Sequence, residues 1–186
     1  MKSAPKYDKV KFEKAFAFAL TQTANHNTFF SFVRDEFQKS GVFFEVLPNI
    51  SGSKINGATK KIGDHILLMV NDRGASADTF WFSLFHEIGH IMNNDFGISF
   101  DKESGDQEVV ANHFAEDALI PRDLYESFVA DTERITPTSV IDFSSRINRD
   151  PGIVVGRLQR DRHISYDDWR FFDFKQPLRV CISSED

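Results

Sequence analysis

An α+β fold, with a small antiparallel sheet packed against a long central helix and further helices, is what the sequence predicts, and three observations carry that prediction. Apolar residues recur at spacings of three and four over several long stretches, the period of a helix with one buried face. Between residues 42 and 70 the pattern changes to short runs rich in Val, Ile and Phe, broken by Gly, Pro and Asp in the manner of strands and turns. The chain has 186 residues, 41% of them apolar and 20 of them phenylalanine, which is enough to bury a substantial core.

Residues 8–22 and 28–39 read as helices. Asn27 or Thr28 can cap the second, and Ser40-Gly41 stops it, because glycine just past a helix end accepts the left-handed turn there. The apolar segment Ala15-Phe16-Ala17-Phe18-Ala19-Leu20 follows Glu13 and Lys14 and gives way at once to polar residues. It is too short to span a bilayer and does not read as a targeting signal.

Residues 42–47, 54–60 and 65–70 form three extended stretches separated by residues 48–53 and by Ile62-Gly63-Asp64. The middle stretch is polar and carries Gly57. It suits a sheet edge protected from aggregation by Lys54, Lys60 and Lys61.

A helix follows, with Ser76 or Asp78 able to cap its start. Trp81, Leu84, Phe85, Ile88 and Ile91 form an apolar stripe that anchors it in the core. Gly89 costs about 1 kcal/mol relative to Ala in a helix interior, so something must approach the backbone closely there. A further helix from Glu108 is stopped by Pro121, with Ser104-x-x-Gln107 resembling a capping box at its start. Its small Ala111, Ala115 and Ala118 allow it to lie against the first.

Residues 140–147, the turn Asn148-Arg149-Asp150-Pro151-Gly152 and residues 153–162 read as helix, turn, helix. Arg146, Arg149, Arg157, Arg160 and Arg162 are cations that could meet DNA phosphates. The apolar Ile153, Val154, Val155 and Leu158 instead place the second helix in the core, so direct nucleic-acid binding is not expected.

Chemistry concentrates in His86-Glu87-Ile88-Gly89-His90. Helix positions four apart lie on one face, so His86 and His90 can present two imidazoles to a single cation. Glu87, one step around the turn, puts a carboxylate beside the open coordination position. There it can take a proton from water and later return it to a leaving amine. Eighteen residues beyond His90, Glu108 shares a helix face with Asn112 and Ala115, which completes two histidines and a carboxylate. His113 lies about 140 degrees around that helix from Glu108 and should point away. Asp95, Asp101, Glu103, Asp106, Glu116 and Asp117 read as solvated charges, with Glu116 the fallback ligand if the register differs. His26, His65 and His163 fall outside the motif.

His86-Glu87-x-x-His90, Glu108-x-x-Ala111-Asn112-x-Phe114-Ala115 and Leu119-Ile120-Pro121 together resemble the ImmA/IrrE family of metallopeptidases, within the wider gluzincin group. Phe80 to Phe85 before the motif and Pro151 to Gln159 after it are similar to a variant often fused to a helix-turn-helix repressor domain, a domain not found in this sequence. Similarity spans roughly residues 40–165. The resemblance implies His86, His90 and Glu108 as Zn2+ ligands, Glu87 as general base and Asn112 as a residue orienting a histidine ligand. It also places Gly57 and Ala58 near the cleft, as a strand edge to which a substrate backbone could add. Val109-Val110 departs from the acidic pair often found beside the ligand glutamate.

A net charge of −6 argues against a surface built for nucleic acid, and a single cysteine, Cys181, excludes an intrachain disulfide framework. Both fit a cytoplasmic protein. The expectation is one metallopeptidase domain over residues 1–186, with N-terminal helices to 40, the sheet and metal-site helices over 41–130, and a helical subdomain over 131–186. The family resemblance implies a cytoplasmic protein substrate, typically a helix-turn-helix repressor or a partner in a stress or toxin-antitoxin circuit. The alternative is a zinc-stabilised interaction module with little peptidase activity.

Overall fold

The computed structural model describes residues 5–48, 54–71, 76–100, 105–175 and 177–178. Helices α1 (Lys9–Thr21) and α2 (Phe29–Lys39) open the chain. Asp8 caps α1 by accepting from the Lys11 N–H at 3.1 Å, whereas Thr28, the residue before α2, makes no side-chain cap bond. Gly41 ends α2 with φ +82°, and a Cβ there would also collide with the backbone of Lys6 and Tyr7. Glycine is therefore required by both conformation and space.

Strands β1 (Val42–Leu47), β2 (Ile55–Ile62) and β3 (His65–Asn71) fall close to their expected positions. Their arrangement corrects the sequence reading twice. The sheet order is β1-β3-β2-β4, where β4 (Ile98–Phe100) is a short strand the sequence did not reveal. β2 and β3 form the anticipated antiparallel hairpin around Gly63, but β3 then inserts beside β1 and runs parallel to it, pairing Val42 with Ile66 through Leu47 with Asn71. The sheet is mixed rather than antiparallel. The apolar run of β3 suits an interior strand, while β1, with exposed Glu45 and Leu47, takes one edge. Second, β2 is not an edge. Gly57 and Ala58 pair with β3 on one side and β4 on the other, so their backbone has no open side for strand addition.

One face of the sheet is covered by helices. Val42, Phe44 and Val46 of β1 and Ile66, Leu68 and Val70 of β3 are all buried in the core. Phenylalanine rings fill the space between layers: Phe44 lies 5.6 Å from Phe37, which meets Phe12 at 5.2 Å, and Phe29 bridges to Phe80 and Trp81.

Helix α3 (Ala77–Met92) crosses this core. Its predicted stripe, Trp81, Leu84, Phe85, Ile88 and Ile91, is nowhere more than 2% exposed. Ser76 precedes it but bonds Thr79 rather than the helix backbone. Helix α4 (Asp106–Leu119) packs on α3 at Gly89, where a Cβ would stand 3.1 Å from the Ala111 Cα. This is the close approach that the helical glycine implied. α4 starts after Gly105 without a side-chain cap, and Gln107 is its second residue; Ser104, the other half of the anticipated capping box, lies outside the described residues.

Helices α5 (Arg122–Asp131), α6 (Pro137–Ile147) and α7 (Pro151–Arg160) follow, then a 3-10 turn at Trp169–Phe174. Ile153, Val154, Val155 and Leu158 of α7 are buried, as their composition required. Arg149 donates to the carbonyls of Leu119, Ile147 and Asn148 at 2.9–3.1 Å, closing the ends of α4 and α6. With Arg157 and Arg160 also held in ion pairs, three of the five arginines once set against DNA work inside the fold. Among the described residues, no helix is long and apolar enough to cross a membrane.

Candidate metal centre

Three side chains from two helices converge where α3 and α4 are closest. His86 and His90, one turn apart on α3, bring their Nε2 atoms to 3.0 Å from each other. Glu108, in the first turn of α4, places Oε2 at 3.0 Å from His86 Nε2 and Oε1 at 3.3 Å from His90 Nε2. Ligand atoms on a tetrahedral zinc with bonds of about 2.0–2.1 Å would lie about 3.3 Å apart, so this spacing suits one small cation. Both imidazoles are buried and Glu108 is nearly so. Two neutral donors and one carboxylate, without thiolate, match zinc chemistry and leave room for further coordination.

The other ring nitrogens are also held. Asn112 Oδ1 lies 2.9 Å from His86 Nδ1, and Asp95 Oδ2 lies 2.9 Å from His90 Nδ1. An acceptor at Nδ1 fixes the tautomer that leaves Nε2 free to bind a metal. Burial and the neighbouring His90 both lower the His86 pKa, which favours the neutral, ligating form.

Asp95 corrects the reading of that residue as a solvated charge. The chain leaves α3 through Asn94 at φ +56°, and the Asp95 N–H returns to the His90 carbonyl at 2.9 Å. This Schellman turn brings an acid five residues away in sequence back onto the histidine it follows. The pair Asn93-Asn94 was its only sequence signal, since asparagine tolerates the left-handed position.

Glu87, the residue after His86, lies beside the three converging groups and against the sheet. Only 1% exposed, it rests on Gly57 of β2, where a Cβ would overlap its carboxylate. Both oxygens lack a hydrogen-bond partner of good geometry, although the Ser99 hydroxyl of β4 lies near enough to favour the charged form. Desolvation outweighs that help and raises the carboxyl pKa to about 8, with Glu108 and Asp95 adding to the rise. A buried carboxyl tuned toward neutral pH beside a metal-sized cluster has the character of an acid-base group.

Of the anticipated site residues, His86, His90, Glu108 and Asn112 are brought together, Glu87 stands beside them, and Gly57 lies beneath Glu87. Ala58 is buried in β2 and paired on both sides. Glu116, the fallback ligand, binds Arg160 at 2.8 Å instead, and His113 is exposed as its helix position required. His26 pairs with Asp150 at 2.9 Å, while His65 lies against Phe43 and His163 against Tyr125.

No curated protein matches this chain. The family model of the IrrE N-terminal-like peptidase domain matches residues 42–136, from the first residue of β1 to the residue before α6. That match covers just over half of the sequence and encloses His86, Glu87, His90 and Glu108 with the strands and helices that position them. A metallopeptidase-type domain with a protein as its substrate class follows from both lines of observation, and the chain belongs to the ImmA/IrrE family.

Proposed function

We propose that this chain is a zinc-dependent endopeptidase of the cytoplasm that cleaves a regulatory protein, a helix-turn-helix transcriptional repressor or a comparable partner. The observation that carries the peptidase reading is the convergence of His86, His90 and Glu108 with a buried, unpartnered Glu87 beside them. The choice of a repressor rests on the family resemblance of the motifs. The continuous hydrophobic cluster from Phe12 to Leu178 supports treating residues 1–186 as one metallopeptidase domain.

In this reading His86, His90 and Glu108 hold the ion, and Asn112 and Asp95 keep the two imidazoles in register. Bound zinc supplies Lewis acidity toward the scissile carbonyl and lowers the pKa of water to about 7. Glu87 takes the proton from the attacking water and returns it to the leaving amine. Gly57 makes this possible by having no side chain, so Glu87 can lie flat against β2. Gly57 and Ala58 therefore serve as a floor for the general base rather than as the substrate-binding edge that the sequence suggested.

Co-expression with helix-turn-helix repressors encoded near this chain tests the function. The wild type should cut one of them, whereas Glu87→Gln should retain about one zinc per chain and cut at least about a hundredfold more slowly. Equal cutting by both proteins would reject the mechanism and leave a zinc-stabilised interaction module.

A further inference from the structure

A cavity of ≈ 200 Å³ opens between α3, α4 and α7, one helical turn from the metal-site cluster. Asp78 and Phe82 line it from the α3 turns preceding His86, and Glu116 and Leu119 from the α4 turns following Asn112. Four residues of helix rise about 6 Å, so its nearest wall is within reach of a side chain adjacent to a bond held at the histidines. That wall is the Phe82 ring, whose centroid lies 6.3 Å from that of His86.

We propose that this cavity is a specificity pocket, receiving a bulky uncharged side chain of the protein substrate next to the scissile bond. The inference rests on the peptidase reading above and adds the class of residue selected. Its interior is formed by Phe82, Leu119, Ile120 and Ile153, with the exposed Tyr166 at the rim. Its volume is that of one large side chain, and its lining is mostly apolar, the usual character of a recognition pocket.

The charged groups around it decide against a charged guest. Arg160 is bound to Glu116 at 2.8 Å and stacks on the Phe82 ring at 5.2 Å. Arg157 is bound to Asp161 at 2.5 Å and also faces Glu116 at 3.7 Å. Asp78 faces Lys175 at 3.6 Å. Each charge is thus answered by the protein itself, and a charged side chain entering would have to break a pair without replacing it. Arg160, itself a lining residue, packs over the Phe82 ring and so helps hold the wall shared with the metal centre.

Thr79 also lines the cavity but is exposed, so Thr79→Trp can fill it from the surface without removing core. Cleavage of a proteome-derived peptide library, read by mass spectrometry, should show Leu, Met, Phe or Tyr enriched at one position flanking the cut. Thr79→Trp should shift that position to Ala, Ser or Gly and lower kcat/KM for bulky substrates at least about tenfold, with zinc content and Tm unchanged. A binding measurement separates this from the peptidase reading. Acetyl-leucinamide should shift the Thr79, Leu119 and Gly156 amide resonances of the zinc-loaded wild type, acetyl-alaninamide should shift them much less, and Thr79→Trp should abolish the difference. Peptides cut without an apolar preference would overturn the pocket and leave the peptidase standing. No cleavage together with selective leucinamide binding would do the reverse. Absence of both preference and selective binding, in a folded wild type, overturns the pocket outright. Should Thr79→Trp fail to fold, Thr79→Phe provides the same test.

Discussion

Gly57→Ala should disable the enzyme without touching the metal ligands. The Cβ it adds would stand 2.6 Å from both Cγ and Cδ of Glu87. Carbon atoms rest at about 3.5–4.0 Å, so the carboxylate must move by about 1 Å or β2 must bend. Bending is resisted because Gly57 is paired with Val70 on one side and Ser99 on the other. A misplacement of about 1 Å in a catalytic group can cost on the order of a hundredfold in rate, and overpacking of this kind costs about 1–3 kcal/mol of stability. Relief of the backbone entropy of glycine returns roughly 0.4–1 kcal/mol, leaving a net loss of up to about 2.6 kcal/mol. The assay is kcat/KM on the identified substrate, with zinc content by elemental analysis and stability by urea unfolding. Zinc content should remain near one per chain. Adding Glu87→Ala to Gly57→Ala should restore much of the lost stability, because the colliding side chain is gone, while activity stays absent. Wild-type rate and stability in Gly57→Ala would refute the placement of Glu87 against β2. Additive stability losses in the double variant would refute the collision as the cause.

Alanine at His86, His90 or Glu108 should each sharply weaken zinc binding, whereas Glu116→Ala should leave zinc content unchanged; loss of metal in Glu116→Ala with full metal in Glu108→Ala would overturn the ligand assignment. Asp95→Ala should weaken zinc affinity by about ten- to a hundredfold through its grip on His90, seen in competition with a chelating dye, and affinity equal to wild type would remove Asp95 from the site. In the metal-free protein the Glu87 carboxyl is raised from 4.5 to about 8, so its contribution to stability is full below about pH 4.5 and is lost as pH rises through about 8. Relative to Glu87→Gln, which is uncharged throughout, the metal-free wild type should therefore lose stability between about pH 5 and pH 8, by a few kcal/mol at order of magnitude. Parallel stability profiles for the two proteins would contradict the burial of Glu87.

The sequence by itself determined most of the helices, three of the four strands and the candidate reactive set, because these depend on local spacing. His86, Glu87 and His90 are fixed relative to one another by the helical period, and the apolar stripe from Trp81 to Ile91 dictates which face is turned inward. Gly89 and the alanines of α4 signalled that two helices touch, which brought Glu108 and Asn112 within reach of the histidines. Tertiary structure alone decided the rest, since it concerns groups whose separation along the chain says nothing about their separation in space. Polar β2 looked like an edge, yet the three-residue β4 covers its far side, and so short a strand has no periodicity to betray it. β3 became parallel to β1 through insertion, a choice of neighbour that the pattern of either strand leaves open. Asp95 reached His90 only through a left-handed turn, and Glu87 found room only because Gly57 arrived beneath it from another element. The paired charges around the cavity belong to α3, α4, α7 and the segment beyond them, so their mutual neutralisation exists only once those elements have packed.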